Sequence, residues 1–200
     1  LTQERVNYPQ HASFLYQAQA EILKRMDNKK AALRLLNEAV KNLPDDPEIL
    51  YSAVLLLDPF EDRDRLDKAL KQLLILEPNS PTYLNAYAYT LALQNRRLDE
   101  ARKYAEHALE YAPEQASILD TLGYITFLQN DFDTASQIFA KAYNLSHSIN
   151  IGMRYAKALY MQGSLNEFNE VLQQLKQNHP NDPQLNQLDS LLLPQHAKKS

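Results

Sequence analysis

Apolar residues recur at helical spacing along this chain, and the pattern repeats at intervals of 33 to 35 residues. Within one segment, Leu33, Leu36 and Val40 lie three and four positions apart, as on one face of an α-helix. Four series keep the longer interval: Ala20, Val54, Ala88, Gly123 and Ala156; Ala32, Leu66, Ala101, Ala135 and Phe168; Leu36, Leu70, Ala105, Phe139 and Leu172; Ala39, Leu73, Ala108, Ala142 and Leu175. Such a period predicts a stack of similar units that share one extended core.

Polar and proline-containing breaks divide each unit into two predicted helices. The breaks between the helices of a pair fall at Asp27-Asn28, Asp58-Pro59, Asn95-Arg96, Asn130-Asp131 and Gly163-Ser164. Pro44, Pro78, Pro113 and Pro180 punctuate the unit ends, and His147 stands where another proline is expected. Helices are predicted to begin at Asp46-Pro47, Ser80-Pro81 and Asp182-Pro183, where a capping side chain precedes a proline that needs no N–H partner.

These signals give the expected organisation of the chain. The predicted units are 12–46, 47–80, 81–115, 116–148 and 149–182, of which the second and the fifth are degenerate. Residues 1–9 are interpreted as the end of a preceding repeat helix, 183–193 as a capping helix and 194–200 as a disordered tail. The first residue is not Met, so we expect that further chain, including any export signal or lipid anchor, precedes Leu1.

The unit Leu119-x2-Leu122-Gly123, followed by Phe132-x2-Ala135-x3-Phe139-x2-Ala142, resembles the tetratricopeptide repeat (TPR). The resemblance covers residues 12–182. It implies an all-α, right-handed solenoid of about five helix pairs with a C-terminal capping helix, in which small residues occupy close helix crossings. Leu66 and Phe168 depart from the family's preference for Ala, and Gln19 from its preference for Leu.

In such a stack, the first helix of each pair lines the concave surface that repeat proteins use for binding. The predicted site residues on that surface are Tyr51, Asn85, Tyr89, Asp120, Tyr124, Phe127, Met153, Lys157 and Tyr160. Their recurring tyrosines suit a protein or peptide segment, because Tyr offers a large contact area and a hydroxyl. The same tyrosines also fit a second interpretation, which is packing between repeats. Asn85 and Lys157 are of the types that bind a chain-terminal carboxylate in chaperone-binding relatives, but Asp120 on the same face opposes such a clamp.

Two segments, 84–92 and 118–124, are similar to stretches of large proteobacterial TPR proteins of the cell envelope, some of which are outer-membrane lipoproteins. This resemblance implies a periplasmic or outer-membrane-anchored adaptor that presents substrates to an enzyme such as a C-terminal processing protease. A cytoplasmic location is the alternative.

Composition narrows the function classes. Only 3 Gly accompany 12 Tyr and 44% apolar residues, which favours a folded helical chain. A net charge of −4 opposes nucleic-acid binding, and the absence of Cys excludes disulfides and thiolate metal ligands. No apolar run reaches the roughly 18 residues of a membrane span.

No chemistry-bearing constellation stands out in the sequence. The histidines are scattered without helical pairing: His11, His107, His147, His179 and His196. The acidic run from Asp58 to Asp64 lacks the central Gly of a calcium loop. We therefore predict no catalytic residues, metal or cofactor, and expect a protein-binding adaptor rather than an enzyme. The alternative is a self-assembling structural repeat, that is, a homo-oligomer without a dedicated peptide groove; an RNA-binding repeat is opposed by the acidic balance.

Overall fold

The computed structural model describes residues 4–5 and 8–192, and helices are their only regular structure. The described part contains two 3-10 helices, Pro9–His11 and Pro183–Leu185, and eleven α-helices. The α-helices are α1 (Ala12–Arg25), α2 (Lys29–Asn42), α3 (Pro47–Val54), α4 (Arg63–Leu76), α5 (Pro81–Leu93), α6 (Leu98–Tyr111), α7 (Ala116–Leu128), α8 (Phe132–Ser146), α9 (Ile149–Gln162), α10 (Leu165–Asn178) and α11 (Asn186–Leu192). The predicted all-α fold class is confirmed. No helix in this part of the chain is long and apolar enough to cross a membrane.

The helices pack as consecutive pairs, from α1 with α2 to α9 with α10. The first helices also contact one another from pair to pair: α1 contacts α3, α5 contacts α7, and α7 contacts α9. Between α3 and α5, the Tyr51 and Tyr83 rings lie 5.1 Å apart. They therefore form one continuous row along the stack. Side chains that project from this row share a surface although they lie far apart in the sequence.

Left-handed backbone conformations end most of the first helices. Asp27, Asn95 and Asn130 have φ values of 56°, 48° and 63°, and Gly163 has a φ of 90°. Asn, Asp and Gly tolerate this region better than other residues, so they can close a helix and reverse the chain. These residues lie at four of the predicted breaks.

A helical element begins at each of the three predicted starts, but the predicted capping contacts are present at only two of them. The Asp46 carboxylate accepts a hydrogen bond from the Ile49 backbone N–H at 3.0 Å, as a capping residue should. The capping role assigned to Ser80 was wrong, because its side chain makes no capping hydrogen bond. Helix α5 begins there with Pro81, whose ring presets the helical φ and which has no N–H to be satisfied.

The segment predicted as a capping helix over 183–193 contains two helical elements, Pro183–Leu185 and Asn186–Leu192, in its described part. Asp182 accepts a hydrogen bond from the Gln184 backbone N–H at 2.9 Å and begins the 3-10 helix, after which α11 starts at Asn186. The predicted tail at 194–200 lies outside the described residues. So does part of the predicted 1–9 helix, of which Glu4 and Arg5 are helical.

The small residues of the repeat lie at close helix crossings. The alanines of the repeat series are at most 3% exposed: Ala20, Ala32, Ala39, Ala88, Ala101, Ala108, Ala135, Ala142 and Ala156. A Cβ on Gly123 would lie 2.8 Å from the Phe139 ring. The absence of a side chain at Gly123 therefore lets the Phe139 ring of α8 pack directly against the backbone of α7.

Candidate functional site

Arg154 of α9 connects the last three first helices of the row, α5, α7 and α9. Its guanidinium forms an ion pair with the Asp120 carboxylate of α7 and donates a hydrogen bond to the Tyr89 hydroxyl of α5 at 3.3 Å. The guanidinium carbon lies 4.9 Å from the centroid of the Tyr124 ring and 5.8 Å from that of Tyr89. We call Tyr89, Asp120, Tyr124 and Arg154 the Arg154 cluster. Ionic, hydrogen-bond and cation–π contacts all hold its guanidinium in place.

Burial dominates the electrostatics of this cluster. It raises the pKa of Asp120, although the neighbouring Arg154 charge opposes that shift. Burial also disfavours the charged form of Arg154, but the Asp120 carboxylate and the Tyr89 hydroxyl outweigh it and raise the pKa of Arg154. Arg154 therefore remains a cation. One carboxylate oxygen of Asp120, Oδ1, is buried with no hydrogen-bond partner among the described residues, so this cluster is incompletely satisfied.

A cavity of about 720 Å³ adjoins Arg154 on the first-helix surface. We call it the polar bay, because hydroxyl and carboxamide side chains make up much of its lining. Ser117 and Asn150 lie on its helical walls, and Gln184 and Gln187 of the C-terminal segment contribute to its wall as well. Such groups can donate to and accept from a peptide backbone.

A second cavity of about 270 Å³ also has Arg154 in its lining. We call it the aromatic pocket; its lining is Tyr124, Phe127, Phe139, Arg154 and Lys157. Phe139 reaches it from α8 because Gly123 leaves room for its ring. Arg154 and Lys157 line both cavities and form the ridge between them.

The residues predicted for the concave surface fall into two groups. Tyr89, Asp120, Tyr124, Phe127, Met153 and Lys157 line one or both cavities. The remaining three residues, Tyr51, Asn85 and Tyr160, line neither.

Tyr51 lies away from the cavities, with its ring 5.1 Å from that of Tyr83, and burial raises the pKa of its hydroxyl. Tyr160 packs on Phe168 at 5.7 Å between ring centroids. Met153 borders the polar bay but is 6% exposed and belongs to the core. The side-chain oxygen of Asn85 is buried without a partner in the described part of the chain.

Arg154 itself was not among the predicted site residues. The repeat register placed Met153 and Lys157 on the concave surface and left out Arg154, which directly follows Met153. The available signal was the charge of Arg154 within a largely apolar helix, 34 residues after Asp120.

Stacked helix pairs with a shared first-helix surface define this protein as a helical-repeat solenoid. The tetratricopeptide repeat family model matches residues 88–147 of this chain. Proteins of this fold are typically non-catalytic scaffolds.

Sequence relatives extend beyond the matched repeat. The TPR repeat-containing protein PA4667 of Pseudomonas aeruginosa is 31% identical over 142 residues, which are 71% of this chain and 24% of that protein. The protein O-mannosyl-transferase Tmtc2 of Drosophila melanogaster is 34% identical over 90 residues, which are 43% of this chain and 10% of that protein. The chain thus spans about a quarter or less of the length of these relatives.

Solved structures share the fold at low sequence identity. TTC0263, a thermophilic TPR protein of Thermus thermophilus, superposes with a TM-score of 0.75 at 21% identity, covering 91% of this chain and all of that one. YrrB, described as a TPR protein with an unusual peptide-binding site, has a TM-score of 0.64 at 13% identity and covers 88% of this chain and 90% of its own.

Proposed function

We propose that this protein is a scaffold whose first-helix surface on α5, α7 and α9 binds a peptide segment of another protein. The observation that carries the proposal is the Arg154 cluster, which stands between the polar bay and the aromatic pocket. The peptide-binding site named for YrrB supports it by analogy of fold.

The polar bay, the aromatic pocket and the ridge between them form what we call the groove. It offers the three kinds of contact that a peptide needs. The polar bay supplies donors and acceptors for its backbone, the aromatic pocket supplies an apolar contact area, and Arg154 with Lys157 supplies positive charge. Because Arg154 is already held by Asp120, Tyr89 and Tyr124, it needs little further ordering when a ligand arrives. We therefore expect binding to be centred on these residues.

The test is selection of peptides from a random display library, followed by fluorescence anisotropy with the selected peptides. Removing both rings with Tyr89→Ala and Tyr124→Ala should weaken binding at least about 30-fold, because an aromatic hot spot contributes about 2 kcal/mol or more. Tyr111→Ala is the control, since Tyr111 is exposed on α6 and lines neither cavity. Circular dichroism melting must show both variants folded. Full binding by the folded double variant would refute the groove assignment.

Exposed apolar side chains near the N-terminal end of the helix stack favour self-association as a second candidate function. Phe14 of α1 is 70% exposed and Leu55, just after α3, is 62% exposed, and both line a cavity of about 400 Å³. Two copies could bury these side chains together. Sedimentation velocity of the parent chain and of a Phe14→Ser, Leu55→Ser variant tests this candidate. A monomer at all concentrations in the parent would exclude it.

We further propose that the scaffold works in the bacterial cell envelope, in the periplasm or attached to the outer membrane, and presents substrates to a C-terminal processing protease. The support is the similarity of residues 84–92 and 118–124 to envelope TPR proteins. Crosslinking in intact cells followed by identification of captured proteins tests it. Recovery of cytoplasmic partners alone would contradict it.

A further inference from the structure

We infer that the segment bound in this groove carries an acidic side chain beside an apolar one, with the acid paired to Lys157 and the apolar residue in the aromatic pocket. The inference rests on the proposed peptide-binding function and specifies the ligand's chemistry. Its basis is the arrangement of charge along the ridge between the two cavities.

The two ridge cations are in different electrostatic situations. Arg154 already has the Asp120 carboxylate as its counterion. Lys157, one turn further along α9, makes no ion pair with any residue that the structure describes, although its side chain is only partly exposed and lines both cavities. A partly exposed cation without a counterion is stabilised by an anionic partner that binds beside it. Charge complementarity therefore calls for a ligand carboxylate at Lys157.

The aromatic pocket supplies the neighbouring apolar requirement. Tyr124, Phe127 and Phe139 enclose a space of about 270 Å³ that suits one large apolar side chain. Since Lys157 lines this pocket as well, the two ligand residues must be close in sequence. In an extended segment, residues two apart point to the same side and neighbours point to opposite sides. Either spacing can place one side chain at Lys157 and the other in the pocket, so the acid and the apolar residue are one or two positions apart.

The shape of the groove favours a side-chain carboxylate over a chain terminus. Beyond Lys157, the polar bay continues to Gln184 and Gln187 and leaves room for the segment to run on. An internal segment can contact both cavities and still place a side-chain carboxylate at Lys157. The ligand is therefore an internal stretch of a partner protein.

A charge reversal tests the inference. A phage-displayed library of random peptides is selected separately against the parent chain, Lys157→Glu, and the control Lys141→Glu, which makes the same charge change at an exposed position of α8 outside both cavities. The parent and the control should enrich Asp or Glu one or two positions from a large apolar residue. Lys157→Glu should instead enrich Lys or Arg at that position.

Synthetic peptides then measure the contact directly. The peptides are selected by the parent and carry a C-terminal amide. Replacing the peptide's Asp by Asn, or its Glu by Gln, should weaken binding to the parent about tenfold, as for loss of a hydrogen bond to a charged group. The same replacement should leave binding to Lys157→Gln unchanged. Phe127→Ala should reduce the preference for the apolar residue, while Phe127→Leu should retain it. Lys157→Gln also serves as the test if the charge-reversal variant does not fold.

The outcomes separate this inference from the proposed function. If Lys157→Glu selects the same peptides as the parent, or if amidation of the chain end abolishes binding, the internal acidic ligand is refuted while peptide binding stands. Failure of the parent to enrich any peptide would instead refute the proposed function.

Discussion

Two polar clusters of similar composition differ in how fully their groups are satisfied. Around Asp67 of α4, the carboxylate accepts hydrogen bonds from the Tyr87 hydroxyl at 2.5 Å and from Arg97 at 3.0 Å, and pairs with Lys71 at 2.7 Å. Tyr87 is completely buried. That cluster fastens α4, α5 and the start of α6, and its carboxylate is fully engaged. The Arg154 cluster, by contrast, keeps an unpaired buried carboxylate oxygen and borders two cavities. One cluster is therefore structural, and the other suits a binding site.

The Asp67 cluster predicts a pH-dependent contribution to stability. Burial opposes the charged form of Asp67, but hydrogen bonds from Lys71, Tyr87 and Arg97 outweigh it and lower its pKa from 3.8 to about 2. A lowered folded-state pKa stabilises the fold above the unfolded value, and that contribution is lost as the pH falls from about 4 to about 2. The shift corresponds to about 2 kcal/mol, which we reduce to about 1 kcal/mol because the side chain is a third exposed.

Urea unfolding of Asp67→Asn between pH 7 and pH 2.5 measures this contribution. The variant should be less stable than the parent at pH 7, and the difference should shrink as the pH falls below 4. Asp45→Asn, at an exposed loop carboxylate, is the control. A difference that stays constant down to pH 2.5 would mean that packing, not charge, is responsible.

A side chain added at Gly123 should destabilise the fold to an extent that depends on the Phe139 ring. An added Cβ would lie 2.8 Å from the Phe139 ring, so Gly123→Ala should cost about 1 to 3 kcal/mol through overpacking, offset by about 1 kcal/mol of helix propensity. In a Phe139→Leu background the clash is relieved, and the same substitution should become neutral or stabilising. Chemical denaturation of the four proteins of this cycle measures the coupling. Equal effects of Gly123→Ala in both backgrounds would contradict the direct contact.

At the scale of the element, the two proline-led helices differ in their dependence on the preceding residue. Asp46 caps α3 through Ile49, whereas Ser80 makes no such bond at α5. Helix α3 has 8 residues and α5 has 13, so the shorter helix has fewer internal hydrogen bonds to hold its first turn. The cap therefore matters more at α3.

This contrast gives a matched pair of substitutions. Asp46→Ala should lower the free energy of unfolding by about 1 kcal/mol, the usual effect of losing a side-chain cap. Ser80→Ala should change it by less than about 0.5 kcal/mol, as for a surface position without a specific contact. Equilibrium denaturation of both variants provides the measurement. Similar losses at the two positions would show that Ser80 caps α5 in solution.

Local patterns account for the helices that the sequence predicted, but not for the whole site. The spacing of Leu33, Leu36 and Val40 and the left-handed residue at Asn130 act within one helix or turn, so they can be read directly from neighbouring residues. The Arg154 cluster depends on the relative placement of three helices, which neighbours in sequence do not specify. Tyr51 illustrates the same limit, because its partner Tyr83 lies 32 positions away on another helix.

At the scale of the whole molecule, the core is divided along the stack rather than gathered at one centre. Leu36 lies in a cluster formed by α1 to α3 and the residues after α3, whereas Leu175 lies in one formed by α7 to α11. A central cluster around Leu70 and Tyr87 lies between them. In a stack of repeats, each unit is stabilised mainly by its neighbours, so damage at one end should remain largely local.

Two identical substitutions at opposite ends test this locality. Leu36→Ala and Leu175→Ala each remove a side chain that is at most 1% exposed, and each should cost about 2 to 5 kcal/mol at its own end. Followed by amide hydrogen exchange with mass spectrometry, Leu36→Ala should accelerate exchange in α1 to α3 and leave α9 and α10 near the parent rates. Leu175→Ala should give the reverse. If either variant accelerated exchange evenly over all helices, the repeats would be unfolding as one unit, and the divided core would not describe how this solenoid is stabilised.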